Sequence, residues 1–164
     1  MSYIPFYKLF PELAMQETRS ISILSDNDPL PHGNYGLMEM YCDEKNCDCR
    51  RVIFMIISPQ IKQPVAYIGY GWENKDFYAR LIKYDRYGNK GVSYANLDDK
   101  EKRDVDELKG PCLNSMSPQS KYAKDILKLI AGTVLNDEMY DKRLKGHYKL
   151  FKRKLKKAKY ESLL

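Results

Sequence analysis

Polar and apolar positions alternate through "RSISIL" (19–24), and two longer strand-like runs follow, "YGLMEMYC" (35–42) and "RVIFMIIS" (51–58). A period of two puts one side of a strand toward a core and the other toward water. The last two runs flank a short polar loop and predict a hairpin. "PVAYIGYGW" (64–72) predicts a fourth strand. Short connections then give a mostly antiparallel four-stranded sheet over residues 19 to 72.

Helical spacing governs the flanks. "FPELAMQE" (10–17) predicts a short helix with Pro11 in its first turn, where a missing amide costs little. "SDNDPLPHGN" (25–34) is turn-like, because two prolines and Gly33 oppose regular structure. "NKDFYARLIKYD" (74–85) carries Phe77, Leu81 and Tyr84 at helical spacing, and residues 84–104 form a polar, glycine-containing connection. "SPQSKYAKDILKLIAGTVL" (117–135) predicts a helix with Tyr122, Ile126, Leu129, Ile130 and Val134 on its buried face. A last helix is expected over residues 137 to 160, striped by Tyr140, Leu144, Tyr148, Phe151 and Leu155. The fold class is α+β: one domain over residues 1–164, with the sheet packed by C-terminal helices.

Composition changes this picture in one respect. The 164 residues are 43% hydrophobic and 30% charged, as expected of a globular chain, but the net charge of +6 is uneven. From Asp141 onward ten Lys or Arg face two acids, while the rest of the chain is slightly acidic. Phosphates or an acidic protein are the partners such a helix attracts, so nucleic acid or an acidic partner is expected at Lys149, Lys152, Arg153, Lys156 and Lys157. The helix's tyrosines and Phe151 are candidates to stack on bases. The competing reading is a solvated outer face on a helix docked by its apolar stripe. The longest apolar run, "VIFMII", is too short to span a bilayer, and the first residues lack the features of a secretory signal. A cytoplasmic protein is therefore expected.

In a reducing compartment, clustered thiols suggest metal or redox chemistry rather than structural disulfides. Three of the four cysteines, Cys42, Cys47 and Cys49, fall in "YCDEKNCDC" at the predicted hairpin tip. Paired strands would bring the two ends of this loop together, and thiolates at about 2.3 Å satisfy a tetrahedral zinc ion. A structural site needs a fourth ligand. His147 is preferred, because the helical stripe turns it inward; Cys112 is the alternative, and His32, Asp43 and Asp48 are further candidates. One zinc per chain is expected, although thiolates accept iron as well.

Other chemistry is weaker. A thiol redox switch, or an enzyme using the cysteine loop with Arg50 and Arg51 to favour thiolate, is the alternative function. Glu17, Arg19, Glu39 and Glu73 could form an acid–base group across the sheet, but acids are plentiful here. "YIGYGWE" lacks the ending of a phosphate loop, and Ser120 has no evident triad partners. Binding is favoured over catalysis.

The fragments "YC" (41–42), "CDCRRV" (47–52), "YGWE" (70–73), "GP" (110–111), "PQSKYA" (118–123) and "HYKLF" (147–151) together resemble a family of uncharacterised bacterial proteins. Members of that family are sometimes joined to the SEC-C metal-binding motif. The resemblance spans most of the chain. It implies that Cys42, Cys47 and Cys49 act as a unit and that His147 belongs to the pattern, whereas Cys112 departs from it. The SEC-C motif is absent from this sequence, and with it any function attached to that motif.

Overall fold

A computed structural model describes residues 2–25, 29–83 and 91–161, with side chains through residue 158. The fold is α+β, built on an antiparallel sheet of six strands: β1 (Tyr3–Pro5), β2 (Ser20–Ile23), β3 (Gly33–Cys42), β4 (Arg51–Ser58), β5 (Ile61–Gly71) and β6 (Cys112–Leu113). The order is β1-β3-β4-β5-β6. β2 lies on the same edge of β3 as β1, pairing residues 33–36 while β1 pairs residues 40–42. The two added strands are short edge pieces. Neither contains enough residues to display a period, so four strands were legible where the described residues form six.

Among the described residues five α-helices pack with the sheet: α1 (Pro11–Glu17), α2 (Lys75–Ile82), α3 (Asp99–Lys109), α4 (Ala123–Gly132) and α5 (Glu138–Glu161). Alternate residues of β3 and β4, among them Leu37, Tyr41, Val52, Phe54 and Ile56, turn to one face and are fully buried. In the same core sit Ile126 and Ile130 of α4 with Tyr140, Leu144 and Phe151 of α5. A smaller cluster joins Tyr78 and Ala79 of α2 to Val105 of α3 and Leu97.

Two expectations are revised. Residues 84–104 are not a plain connection, because α3 begins at Asp99 behind a capping box in which Asp98 and Glu101 exchange backbone hydrogen bonds. The helix read over residues 74–85 closes at Ile82; Tyr84, and residues 26–28 of the turn-rich stretch, lie outside the described residues.

Candidate metal centre

β3 ends at Cys42 and β4 starts at Arg51, so the hairpin holds both ends of the cysteine loop. The loop turns back through a hydrogen bond from the Cys47 amide to the Glu44 carbonyl, 3.2 Å. It closes on Arg50, which takes the left-handed conformation (φ 45°) that a side chain ordinarily disfavours. Two tyrosines hold that residue in place. Tyr78 donates to its carbonyl at 2.8 Å, and its amide donates to Tyr148 Oη at 3.4 Å. From α5, the Lys152 ammonium donates to the carbonyls of Cys42 (2.9 Å) and Glu44 (2.8 Å), while Tyr148 donates to Asp48 (3.1 Å).

The result is a compact thiol group. The Sγ atoms of Cys42, Cys47 and Cys49 all lie within 4.8 Å of one another, with Cys42 and Cys49 buried and Cys47 half-buried. Bonds of about 2.3 Å in a tetrahedral thiolate shell require sulfur separations of about 3.8 Å, so contraction by roughly 1 Å at most would seat a metal ion. The donor set fits. Three cysteines placed in this way could hold a metal ion, whose identity the geometry leaves open.

Their protons are unequally held. A hydrogen bond from the Cys49 thiol is the main influence lowering Cys42, to about 6, against the opposing effect of burial; a backbone amide and Lys152 assist. Cys47 is lowered chiefly by the same donor. Cys49, hydrogen-bonded to both and buried, is pushed far upward. Lys152 is thus the cation beside the thiols. Arg50 instead engages Asp48 (2.9 Å) and Glu73 (3.2 Å). Arg51 is buried behind the loop, donating to Tyr3 Oη at 3.5 Å and the Glu107 carbonyl at 3.3 Å; Tyr3 Oη is 4.0 Å from Cys49 Sγ.

His147 does not join this group. Its ring is buried against Phe6, with centroids 4.4 Å apart, and both nitrogens face carboxylates: Nδ1 is 2.7 Å from Glu39 and Nε2 is 2.9 Å from Glu17. The helical stripe does turn it inward, but onto acids of β3 and α1 rather than onto sulfur. That corrects its assignment as fourth ligand. Cys112 is also elsewhere, on β6, where its thiol donates to the Glu107 carbonyl at 3.2 Å. His32 precedes β3 at the end opposite Cys42. Neither Asp43 nor Asp48 is gathered with the thiols, and Asp48 serves Arg50 and Tyr148. Among the described residues, three sulfurs form the group.

The expected acid–base set is divided in three. Glu17 and Glu39 meet on His147, whereas Arg19 pairs with Asp137 at 3.5 Å and Glu73 with Arg50. Tyr41 also donates to Glu39, at 2.8 Å. Sequence spacing could not have found this cluster, because its members come from separate elements.

Beside the thiols runs an open groove of about 770 Å³ between the cysteine loop and α5. Its cations are Lys45, Lys149, Lys152, Arg153 and Lys156, and its single acid, Asp48, is already paired. Lys157 lies outside it. The expectation of base stacking is corrected for Phe151, which is fully buried in the core and cannot stack on a base, whereas Tyr148 lines the groove but is largely covered, so the groove presents mainly charge.

No family model matches the chain, and no curated protein or solved structure matches it. Among the described residues no helix is long and apolar enough to cross a membrane.

Proposed function

We propose that this protein is a small zinc-stabilised binding module whose basic groove takes the phosphate backbone of a nucleic acid. The observation that carries the reading is the convergence of three sulfurs within 4.8 Å beside a five-cation groove whose lining includes one of them, Cys47. One zinc per chain, held by Cys42, Cys47 and Cys49, ties the loop to the hairpin. Metal-binding free energy then becomes folding free energy. The groove supplies electrostatic affinity without base readout, since phosphate contacts carry no sequence information. A reducing cytoplasm is the compartment in which free thiols persist. The reading agrees with what the resemblance to the SEC-C-associated family implies for the three cysteines and departs from it at His147.

A second reading has its own support in the same geometry, since three free thiols within 4.8 Å can also pair, and the lowering of Cys42 by its thiol neighbour and Lys152 assists. On this reading two of the thiols form a disulfide, surrendering two protons and two electrons to an external oxidant.

One measurement separates the two. Mass spectrometry of untagged protein purified without added metal should find about one zinc per chain with the three thiols protected from alkylation. Metal-free protein with reactive or paired thiols would establish the redox reading instead. For the groove, reversing Lys149, Arg153 and Lys156 to Glu should abolish salt-sensitive DNA binding. Retention of binding only to an acidic protein would replace nucleic acid as the partner.

A further inference from the structure

The thiol cluster and the groove share a wall. Lys45, Asn46, Cys47 and Asp48 form the loop side, facing α5, and Cys47 belongs both to the groove lining and to the metal-ligating group. Lys45 and Asn46 are exposed; they form the middle of the Glu44–Cys47 turn, directly after the Glu44 carbonyl that Lys152 grips. The position of the Lys45 charge therefore depends on how firmly the loop is fixed. Lys152 and the Glu44–Cys47 turn hold the loop backbone, but the three sulfurs that anchor it from inside are joined only by weak thiol hydrogen bonds, which a metal ion would replace with stronger bonds.

We propose that metal occupancy at Cys42, Cys47 and Cys49 controls the affinity of the groove for phosphate-bearing ligands, by holding the loop that carries Lys45 opposite α5. This rests on the metal reading above and adds a regulation to it. Binding energies so coupled are reciprocal: a ligand that needs the ordered loop raises metal affinity by the same factor that the metal raises its own. The effector is a metal ion, and the responding ligand is a phosphodiester strand or free phosphate.

The test measures the Kd of a short fluorescein-labelled single-stranded DNA by anisotropy, on zinc-loaded and chelator-stripped protein at one low salt concentration. Stripping should weaken binding about tenfold, within the usual range of allosteric coupling. Lys45→Ala should weaken the loaded protein severalfold and leave the stripped protein unchanged, because only the loaded loop presents that charge. Equal affinities with and without metal, or an equal effect of Lys45→Ala on both forms, would overturn the proposal while leaving the metal site intact. Failure to bind zinc at all would remove the metal reading, and DNA binding by neither form would remove the groove reading. Inorganic phosphate as competitor separates the sources: displacement of DNA at low phosphate concentration identifies a free-phosphate site, and resistance identifies a strand site. Where circular dichroism shows that stripping unfolds the chain, zinc-loaded Asn46→Gly replaces it, a variant that keeps all three thiols and frees the loop backbone. That variant loosens only the loop and should show the same loss of DNA affinity; wild-type affinity there would overturn the coupling.

Discussion

Cys49 is the thiol hydrogen-bonded with both of its neighbours and is the most reluctant to ionise, so a metal entering this site must displace its proton. Cys49→Ser should therefore take the metal content from about one per chain toward zero. It should also lower the melting temperature to that of chelated wild type, and chelator should have no further effect on the variant. A different residue-scale prediction concerns His147. Burial pulls its pKa down, but the hydrogen bonds and charges of Glu39 and Glu17 outweigh burial, and the net displacement is upward from 6.5. A histidine whose folded pKa is raised stabilises fully below its unfolded pKa and loses that contribution as pH rises through the folded value. Thermal melts should show stability declining from about pH 6.5 upward. His147→Gln should flatten that decline and cost about 3 kcal/mol at low pH, because Glu39 is left buried without its cationic partner.

At the scale of elements, α5 is both a core helix and the clamp of the cysteine loop. Tyr148 illustrates the double duty: its ring packs edge-on to Trp72 at 5.2 Å while its hydroxyl serves Asp48 and Arg50. Tyr148→Phe should keep the helix, by circular dichroism, and weaken zinc affinity about tenfold in a competition titration, the usual cost of losing an outer support of a metal ligand set. How far such elements could be read beforehand depends on what each buries. The β3–β4 hairpin and α5 were legible because long segments half-buried in one core display their period plainly. α3 was not, since nine of its eleven residues are charged and only Val105 and Leu108 remain to mark a face. Its signal was the capping box at Asp98 and Glu101, a local pattern independent of hydrophobic period. The thiol trio was legible because its spacing is local. The partners of His147 were not, as Glu17 and Glu39 lie more than a hundred positions away.

For the whole molecule, the net charge of +6 is less informative than its placement. Lys152 spends its donors on loop carbonyls, leaving Lys45, Lys149, Arg153 and Lys156 as the groove cations free of that duty. If each meets one phosphate of a single strand, the logarithm of affinity should fall against the logarithm of salt concentration with a slope of about −3. Anisotropy titrations over a range of salt check this. Lys157→Ala should leave the slope unchanged, because that residue lies outside the groove.

Lys152 grips the carbonyl of Cys42 across 110 positions of chain, whereas the hairpin that gathers the thiols is complete soon after Ser58. On a ribosome adding about 5–20 residues per second, the thiols emerge roughly 5 to 20 s before the helix that clamps them. During synthesis, then, the cysteine loop meets the cell's metals and oxidants first and its own C-terminal clamp last.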